Sequence, residues 1–261
     1  YVLEIGTGSG LLSMMAADAG AQKVVTCEVS KPISEVANEI ISKNGYSDQI
    51  KVINKKSNEL ILGKDLSHKA DLLISEILSS EFVGEGVIPT ITDAKRRLLR
   101  EGAKIIPESG DIKIALLNST PEIEKEIHVE KNNGYDLSKF NKIMGKKFNL
   151  QYLAKKFDFS YLSEVNTAFS FDFYNIDKFK KEENLLKLKV IKSGRCLGLI
   201  TWLKLNLYGT ISFENSANNE TTSGWVNPFY KFNTPLDLEK GQVLVIKASL
   251  LKDDIWFELI K

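Results

Sequence analysis

The chain has 261 residues, with 35 basic side chains against 34 acidic ones for a net charge of +1, and it is 43% hydrophobic and 26% charged. That length suits one large domain or two smaller ones with a sizeable core, and the even charge balance argues against a nucleic-acid or membrane surface. No apolar run approaches the roughly 20 residues of a membrane span. Cys27 and Cys196, far apart and in strand-like contexts, read as reduced core residues that suit a reducing compartment.

The first hundred residues alternate strand and helix. Val2 to Ile5 is an apolar strand ending in Gly6-Thr7-Gly8-Ser9-Gly10; since Tyr1 already lies in it, the chain reads as a piece of a longer protein. Leu11 to Ala19 is a helix closed by Gly20, and Lys23 to Glu28 is a second strand that ends on an acid. Ser30 as N-cap and Pro32 in the first turn open a helix with Ile33, Val36, Ala37, Ile40 and Ile41 at helical spacing, which Asn44-Gly45 stops. Ile50 to Ile53 and Ala70 to Ile74 are short buried strands, Thr90 to Arg100 is helical, and Ala103 to Ile106 is a last strand before Pro107. This rhythm predicts a mostly parallel sheet with helices on both faces.

After Pro107 the pattern changes. Ile112 to Leu117, Ala168 to Phe173, Leu185 to Val190, Leu197 to Leu207 and Gln242 to Leu250 read as strands without helices between them. The predicted organisation is therefore an α/β domain over 1–107 and an antiparallel β domain over 108–261. Residues 136–164 are helix-compatible and carry Phe140, Ile143, Phe148, Phe157, Tyr161 and Leu162, too many apolar side chains for a linker. They pack either on their own β domain or on another subunit.

Gly6-x-Gly8-x-Gly10, after a strand and before a helix, suits close backbone approach by a nucleotide-type ligand, or a tight turn alone. Glu28, at the end of the second strand, can accept from both ribose hydroxyls of such a ligand. The Gly-x-Gly-x-x-Gly of NAD sites is absent, because Leu11 stands where the third glycine would be. An acid already on the first strand, Glu4, is the pattern of S-adenosylmethionine enzymes, and Glu4 then faces the donor's amino-acid end.

Ile74 to Gly86 places three acids, Glu76, Glu81 and Glu85, directly after a buried strand. Composition alone allows a solvated loop. Strand ends in an open α/β sheet are, however, where ligands bind. Two carboxylates closing on one planar cation make a bidentate clamp for a guanidinium. Glu81 reads as the solvated acid of the three. His68 and His128 are the only histidines, both read as surface residues, and no metal site can be built from them.

Val2-Leu3-Glu4-Ile5-Gly6-Thr7-Gly8-Ser9-Gly10-Leu11-Leu12-Ser13-Met14-Met15-Ala16-Ala17 closely resembles the first motif of the protein arginine methyltransferases. Lys51 to Ser57, and Ser75-Glu76 through Gly84-Glu85-Gly86-Val87-Ile88-Pro89, resemble that family's branch seven, the monomethylating type. The resemblance is strong from Val2 to about Pro107 and weaker beyond. It implies a Rossmann-like class I S-adenosylmethionine domain followed by an antiparallel β-barrel with a helical dimerisation arm at about 136–164. It also implies that Glu76 and Glu85, nine residues apart, hold a substrate arginine, and that Gly6, Gly8, Gly10, Glu28, Ser57 and Asn58 contact the donor. Trp225, in Ser223-Gly224-Trp225, falls where the family has a Thr-His-Trp loop; that loop context reads as a pocket wall, with plain core as the alternative. Phe157, Tyr161 and Leu162 become anchors of a homodimer, or of a tandem pseudo-dimer if a second module exists.

The sequence departs from the family at Gly224, where relatives have His, and at Ser79, where the monomethylating branch has an acid. The reading is a cytoplasmic or nuclear methyltransferase that uses S-adenosylmethionine to monomethylate arginine in a protein or peptide. Two others stand beside it: a methyltransferase for another substrate, and a catalytically silent module that only binds partners.

Overall fold

The computed structural model describes residues 1–150, 159–178, 181–218, 223–252 and 254–260. Five strands, β1 (Val2–Ile5), β2 (Val24–Cys27), β3 (Ile50–Ile53), β4 (Ala70–Ser75) and β5 (Leu99–Ile106), form a fully parallel sheet in the order β3-β2-β1-β4-β5. Alternation along the buried strands feeds two cores. Val2 and Val24 pack with Ala16, Ala17 and Ile41 of helices α1 (Leu11–Asp18) and α2 (Lys31–Lys43). Leu3 and Val25 face the other way, toward Ile88, Ile91 and Ala94 of α3 (Val87–Arg97). The chain order reverses between β1 and β4, so their C-terminal ends flank the crevice where such sheets bind ligands.

The second half is antiparallel. It comprises β6 (Ser109–Asn118), the short helix α4 (Pro121–Ile127), β7 (Lys131–Asn132), β8 (Tyr135–Asp136), β9 (Lys147–Leu150), β10 (Asn166–Asp172), β11 (Glu182–Lys189), β12 (Gly194–Tyr208), β13 (Ile211–Glu214), β14 (Asn227–Leu238), β15 (Val243–Leu251) and β16 (Asp254–Leu259). One sheet runs β10-β6-β12-β14-β9 with β13 on β12, and another runs β11-β15-β16. Ile112, Ile114, Phe169, Leu188 and Ile246 share a single core with Leu3, Leu73 and Ile91, so one apolar interior spans both halves.

Three departures from the sequence reading have identifiable physical causes. Helix α3 begins at Val87, not Thr90, because Gly86 in the left-handed region ends the preceding loop and Pro89 fits a first turn that needs no backbone N–H. Strand β14 is unannounced, since Pro228 and Pro235 interrupt its pattern; a register shift between Cys196 and Gly198 of β12 places Pro235 in a bulge. Residues 136–164 do not form the expected helical arm over their described part. Ser138–Lys142 is a 3-10 turn and Lys147–Leu150 pairs with β14. Asn141 bonds both the N–H and the C=O of Val129, which competes with continuing a helix. Phe157 lies outside the described residues. Tyr161 stacks on Trp202 at 5.3 Å and Leu162 is 0% exposed, so both serve this subunit's own core rather than a partner.

Candidate active site

A cleft of about 860 Å³ opens at the C-terminal ends of β1, β2 and β4, within the range of small-ligand sites. Its floor is Ile5, Gly6, Gly8 and Cys27; one wall carries Glu28, Lys55, Lys56, Ser57 and Asn58, and the other Glu76, Ile77, Glu85, Pro89, Thr90 and Asp93. Gly6, Gly8, Glu28, Ser57, Asn58, Glu76 and Glu85 thus share one cleft, brought together from stretches up to 79 residues apart. Gly6 adopts φ +90, and a Cβ there would stand 2.7 Å from Ile77, so only glycine lets the loop pass beneath the acid segment. Glu28 is held for duty at the rim: its Oε1 accepts from Ser30 N at 2.9 Å, and Oε2 lies 3.4 Å from Gly8 N.

Three predicted site residues sit elsewhere. Gly10 begins α1 against Ile41, behind the cleft. Glu4 is 1% exposed and points under the glycine loop, where the Ser13 hydroxyl donates to Oε2 while Oε1 has no partner. Burial is the chief cause that lifts its carboxyl to about 7; the Ser13 and Thr26 hydroxyls pull the other way and Glu28 adds repulsion. Trp225 does not line the cleft. Its indole N–H donates to Leu78 O at 2.7 Å, and Val226 N donates to Ser80 Oγ at 3.0 Å, so this loop braces the acid segment from behind.

The acid segment itself is tightly built. Phe82 N donates to Ser79 O at 2.8 Å, Gly84 N to Ser79 Oγ at 3.1 Å, and Phe82, fully buried, stacks on Phe171 and Phe173 of the β half. Phe82 and Glu85 both take positive φ, 70° and 60°, which non-glycine residues adopt only where surroundings hold them. The result turns Glu76 and Glu85 into the same cleft. Neither makes an ion pair among the described residues. Glu76 stays open to the cleft, yet protein atoms crowding its other side raise its pKa, and the charge of Glu85 raises it further; the Leu78 backbone N–H opposes both.

Glu81 corrects the expectation of a solvated acid. Its carboxylate is only 17% exposed, accepts the Tyr230 hydroxyl and pairs with Lys147. Sequence reasoning also missed Pro89, Thr90 and Asp93, whose spacing puts them on one face of α3. Arg97 escaped it too: it bonds Asp93, Leu60 O at 2.9 Å and Ser57 O at 3.1 Å, tying α3 to the turn that bears Ser57 and Asn58.

A switch-point cleft with a strand-end acid on one wall, and an acid loop fastened to an antiparallel β domain on the other, defines a group-transfer enzyme of the α/β methyltransferase class. The family described as Ribosomal protein L11 methyltransferase (PrmA) matches residues 1–116. The chain is 31% identical over 248 residues to an Arginine N(omega)-methyltransferase of Streptomyces achromogenes subsp. streptozoticus, covering 95% of this chain and 68% of that protein. It is 34% identical over 247 residues to Protein arginine N-methyltransferase 7 of Gallus gallus, covering 88% of this chain but 35% of that one. The chain belongs to the arginine methyltransferase family, and it spans about a third of the length of such branch-seven relatives.

Solved structures agree on the fold. A Trypanosoma brucei PRMT1 enzyme–prozyme heterotetrameric complex with AdoHcy superposes with TM-score 0.80 at 21% identity, over 97% of this chain and 81% of that one. Arabidopsis thaliana Protein Arginine Methyltransferase 10 gives 0.75 at 18% identity, over 95% and 78%.

Proposed function

We propose that the protein transfers a methyl group from S-adenosylmethionine to a terminal guanidino nitrogen of arginine in a protein or peptide, giving monomethylarginine. One observation carries this reading: two carboxylates with no cation of their own among the described residues, Glu76 and Glu85, face the cleft beside a ribose-type acid. The residues present fit the donor. Glu28 suits its ribose, Ser57 and Asn58 its base, and the backbone of Gly6 and Gly8 allows close approach, with Glu4 and Gly10 supporting that floor from beneath. When bound, the donor supplies an electrophilic methyl on a sulfonium. The α/β domain, 1–107, is the donor half and 108–261 the substrate half, whose two sheets we read as one barrel because their inner faces share a core.

The chemistry of this chain is positioning and electrostatics. Arginine stays protonated, and delocalisation makes its nitrogens weak nucleophiles. Glu76 and Glu85 draw the guanidinium charge toward the nitrogens they hold, which leaves the attacking nitrogen more lone-pair character. Methylation of a guanidinium by a cationic donor releases one proton. Glu76, raised by burial and by Glu85, is the better acceptor for it.

A second reading is supported by one name: the Streptomyces relative is an arginine, not a protein arginine, methyltransferase. Incubating the protein with donor and, separately, an arginine peptide, a lysine peptide and free arginine, then measuring methylated product by mass spectrometry, decides between them. Methyl on the arginine peptide alone supports the proposal; methyl on free arginine alone supports the second reading.

We further propose a homodimer. Tyr135, Phe140 and Ile143, at 73%, 58% and 79% exposure, are apolar side chains left open to solvent on and just before the arm segment. Leu11 and Met15 on α1, with Ile33 and Val36 on α2, offer a matching exposed face. A cytoplasmic or nuclear location fits two free, buried cysteines.

A further inference from the structure

We propose that Glu81 is a positioning residue of this site: Tyr230 and Lys147 of the β domain hold its carboxylate, and that hold sets the bend of the loop presenting Glu76 and Glu85. The inference rests on the functional reading above. Glu81 stands between the two cleft acids in sequence but points away from the cleft, into the contact between the two halves. Tyr230 sits on β14, 2% exposed, wedged edge-on between Trp256 at 5.7 Å and Phe257 at 4.8 Å of β16. Its hydroxyl is therefore fixed by packing before it meets Glu81. Lys147, on β9, pairs with the same carboxylate and lies 5.9 Å from the Tyr230 ring centre.

An exposed ion pair alone contributes little. This one differs in two ways: the carboxylate is mostly shielded, and its second partner is a buried, immobile phenol whose hydrogen bond is charge-assisted. The backbone around Glu81 shows what is held. Its N–H donates to Ser79 Oγ at 3.3 Å, its C=O accepts from Val83 N at 2.8 Å, and the next residue is Phe82 with φ 70. A buried aromatic in the left-handed region persists only if both sides are tied down. Phe171 and Phe173 grip its ring; Glu81 grips the backbone step before it. Releasing Glu81 lets that step relax, and Glu85, itself at φ 60, moves with it. Lys147 also cancels the charge of a third loop acid that would otherwise compete for a cationic substrate.

The test uses Glu81→Gln, Tyr230→Phe, Lys147→Met and the Glu81→Gln/Tyr230→Phe double variant. Three quantities are measured: amide hydrogen exchange at Phe82, Val83 and Gly84, kcat and KM for an arginine peptide, and calorimetric affinity for S-adenosylhomocysteine. Each single variant is expected to speed exchange at these amides about tenfold or more and to lower kcat/KM roughly ten- to a hundredfold, the range for small misplacement of reacting groups. Product-side affinity should stay within about twofold, and the double variant should be no worse than the more damaged single, because both act through one contact. Lys147→Met, on a partly exposed strand, serves if the others fail to fold. Unchanged exchange with unchanged kcat/KM overturns the proposal, as does a lowered melting temperature with kcat/KM unaltered, which would mark a purely structural contact. If the wild type methylates no arginine at all, the functional reading fails, and the exchange measurement alone still decides whether Glu81 sets the loop.

Discussion

Trp225 Nε1 donates to Leu78 O at 2.7 Å across 147 residues of chain, which makes the acid loop as much a part of the β half as of the α/β half that encodes it. With Gly224 beside it contributing no side chain, the indole is what this loop sets against the acid segment. Trp225→Phe keeps an aromatic ring, smaller than the indole, and removes the donor. It is expected to cost about 0.5–1.5 kcal/mol of stability, the net worth of one such bond. Turnover should fall several-fold while donor affinity holds. Thermal melts and steady-state kinetics check both.

Glu28 is expected to carry donor affinity. On the proposed assignment, Glu28→Ala would remove two charge-assisted hydrogen bonds to a ribose, each about 1.5–3 kcal/mol at most. It also frees Ser30 N, which Glu28 holds at 2.9 Å. Calorimetry should show affinity for S-adenosylhomocysteine weakened by at least about tenfold. Unchanged affinity removes Glu28 from the site.

Glu4 makes stability depend on pH. Its folded pKa, about 7, lies above the ordinary 4.5, so the folded state holds the proton more tightly than the unfolded state does. The contribution is therefore fully present below pH 4.5 and is lost as pH rises to about 7. The size is about 3 kcal/mol, from 2.5 pH units at 1.36 kcal/mol each. Glu4→Gln cannot ionise and should flatten this fall, leaving the variant the more stable of the two at pH 8. Chemical denaturation at pH 5 and pH 8 is the comparison. Parallel curves for wild type and variant would show that the buried carboxyl is ionised throughout.

The donor half was largely legible because its signals are local. A strand, a glycine turn and an acid at the next strand end recur at short spacing, and they fall where the sheet order reverses. The arm was misread because apolar content at 136–164 fits helix and strand alike, while Asn141 and the partner strand β14 settle it through contacts distant in sequence. Glu81 was misread for a related reason. Nothing near it in the chain announces Lys147, 66 residues on, or Tyr230, 149 residues on. The placement of Glu4 shows the limit of motif reading: an acid on strand one is visible, but which side of the glycine loop it occupies depends on Ser13 of α1.

Acidity should also mark the proposed clamp pair, Glu76 and Glu85. Burial, then Glu85, raises the Glu76 carboxyl above the usual glutamate range. A base in that state loses function as pH falls through its folded pKa, so the acid limb of kcat/KM should lie above that of an ordinary carboxylate. Glu85→Gln removes one of the two causes and should move this limb to lower pH as well as slow the reaction. A limb that stays in place would show that the observed titration belongs to another group.

The most direct test of the whole account is Glu76→Gln, with an arginine peptide and S-adenosylmethionine, read by mass spectrometry beside calorimetry of donor binding. The substitution keeps size and shape and removes charge. Wild type should yield monomethylarginine, and the variant should turn over roughly two to four powers of ten more slowly, the range for losing one electrostatic stabiliser or proton acceptor. Donor affinity should be unchanged, since Gly6, Gly8, Glu28, Ser57 and Asn58 remain in place. Near-normal turnover by Glu76→Gln would contradict the carboxylate clamp outright.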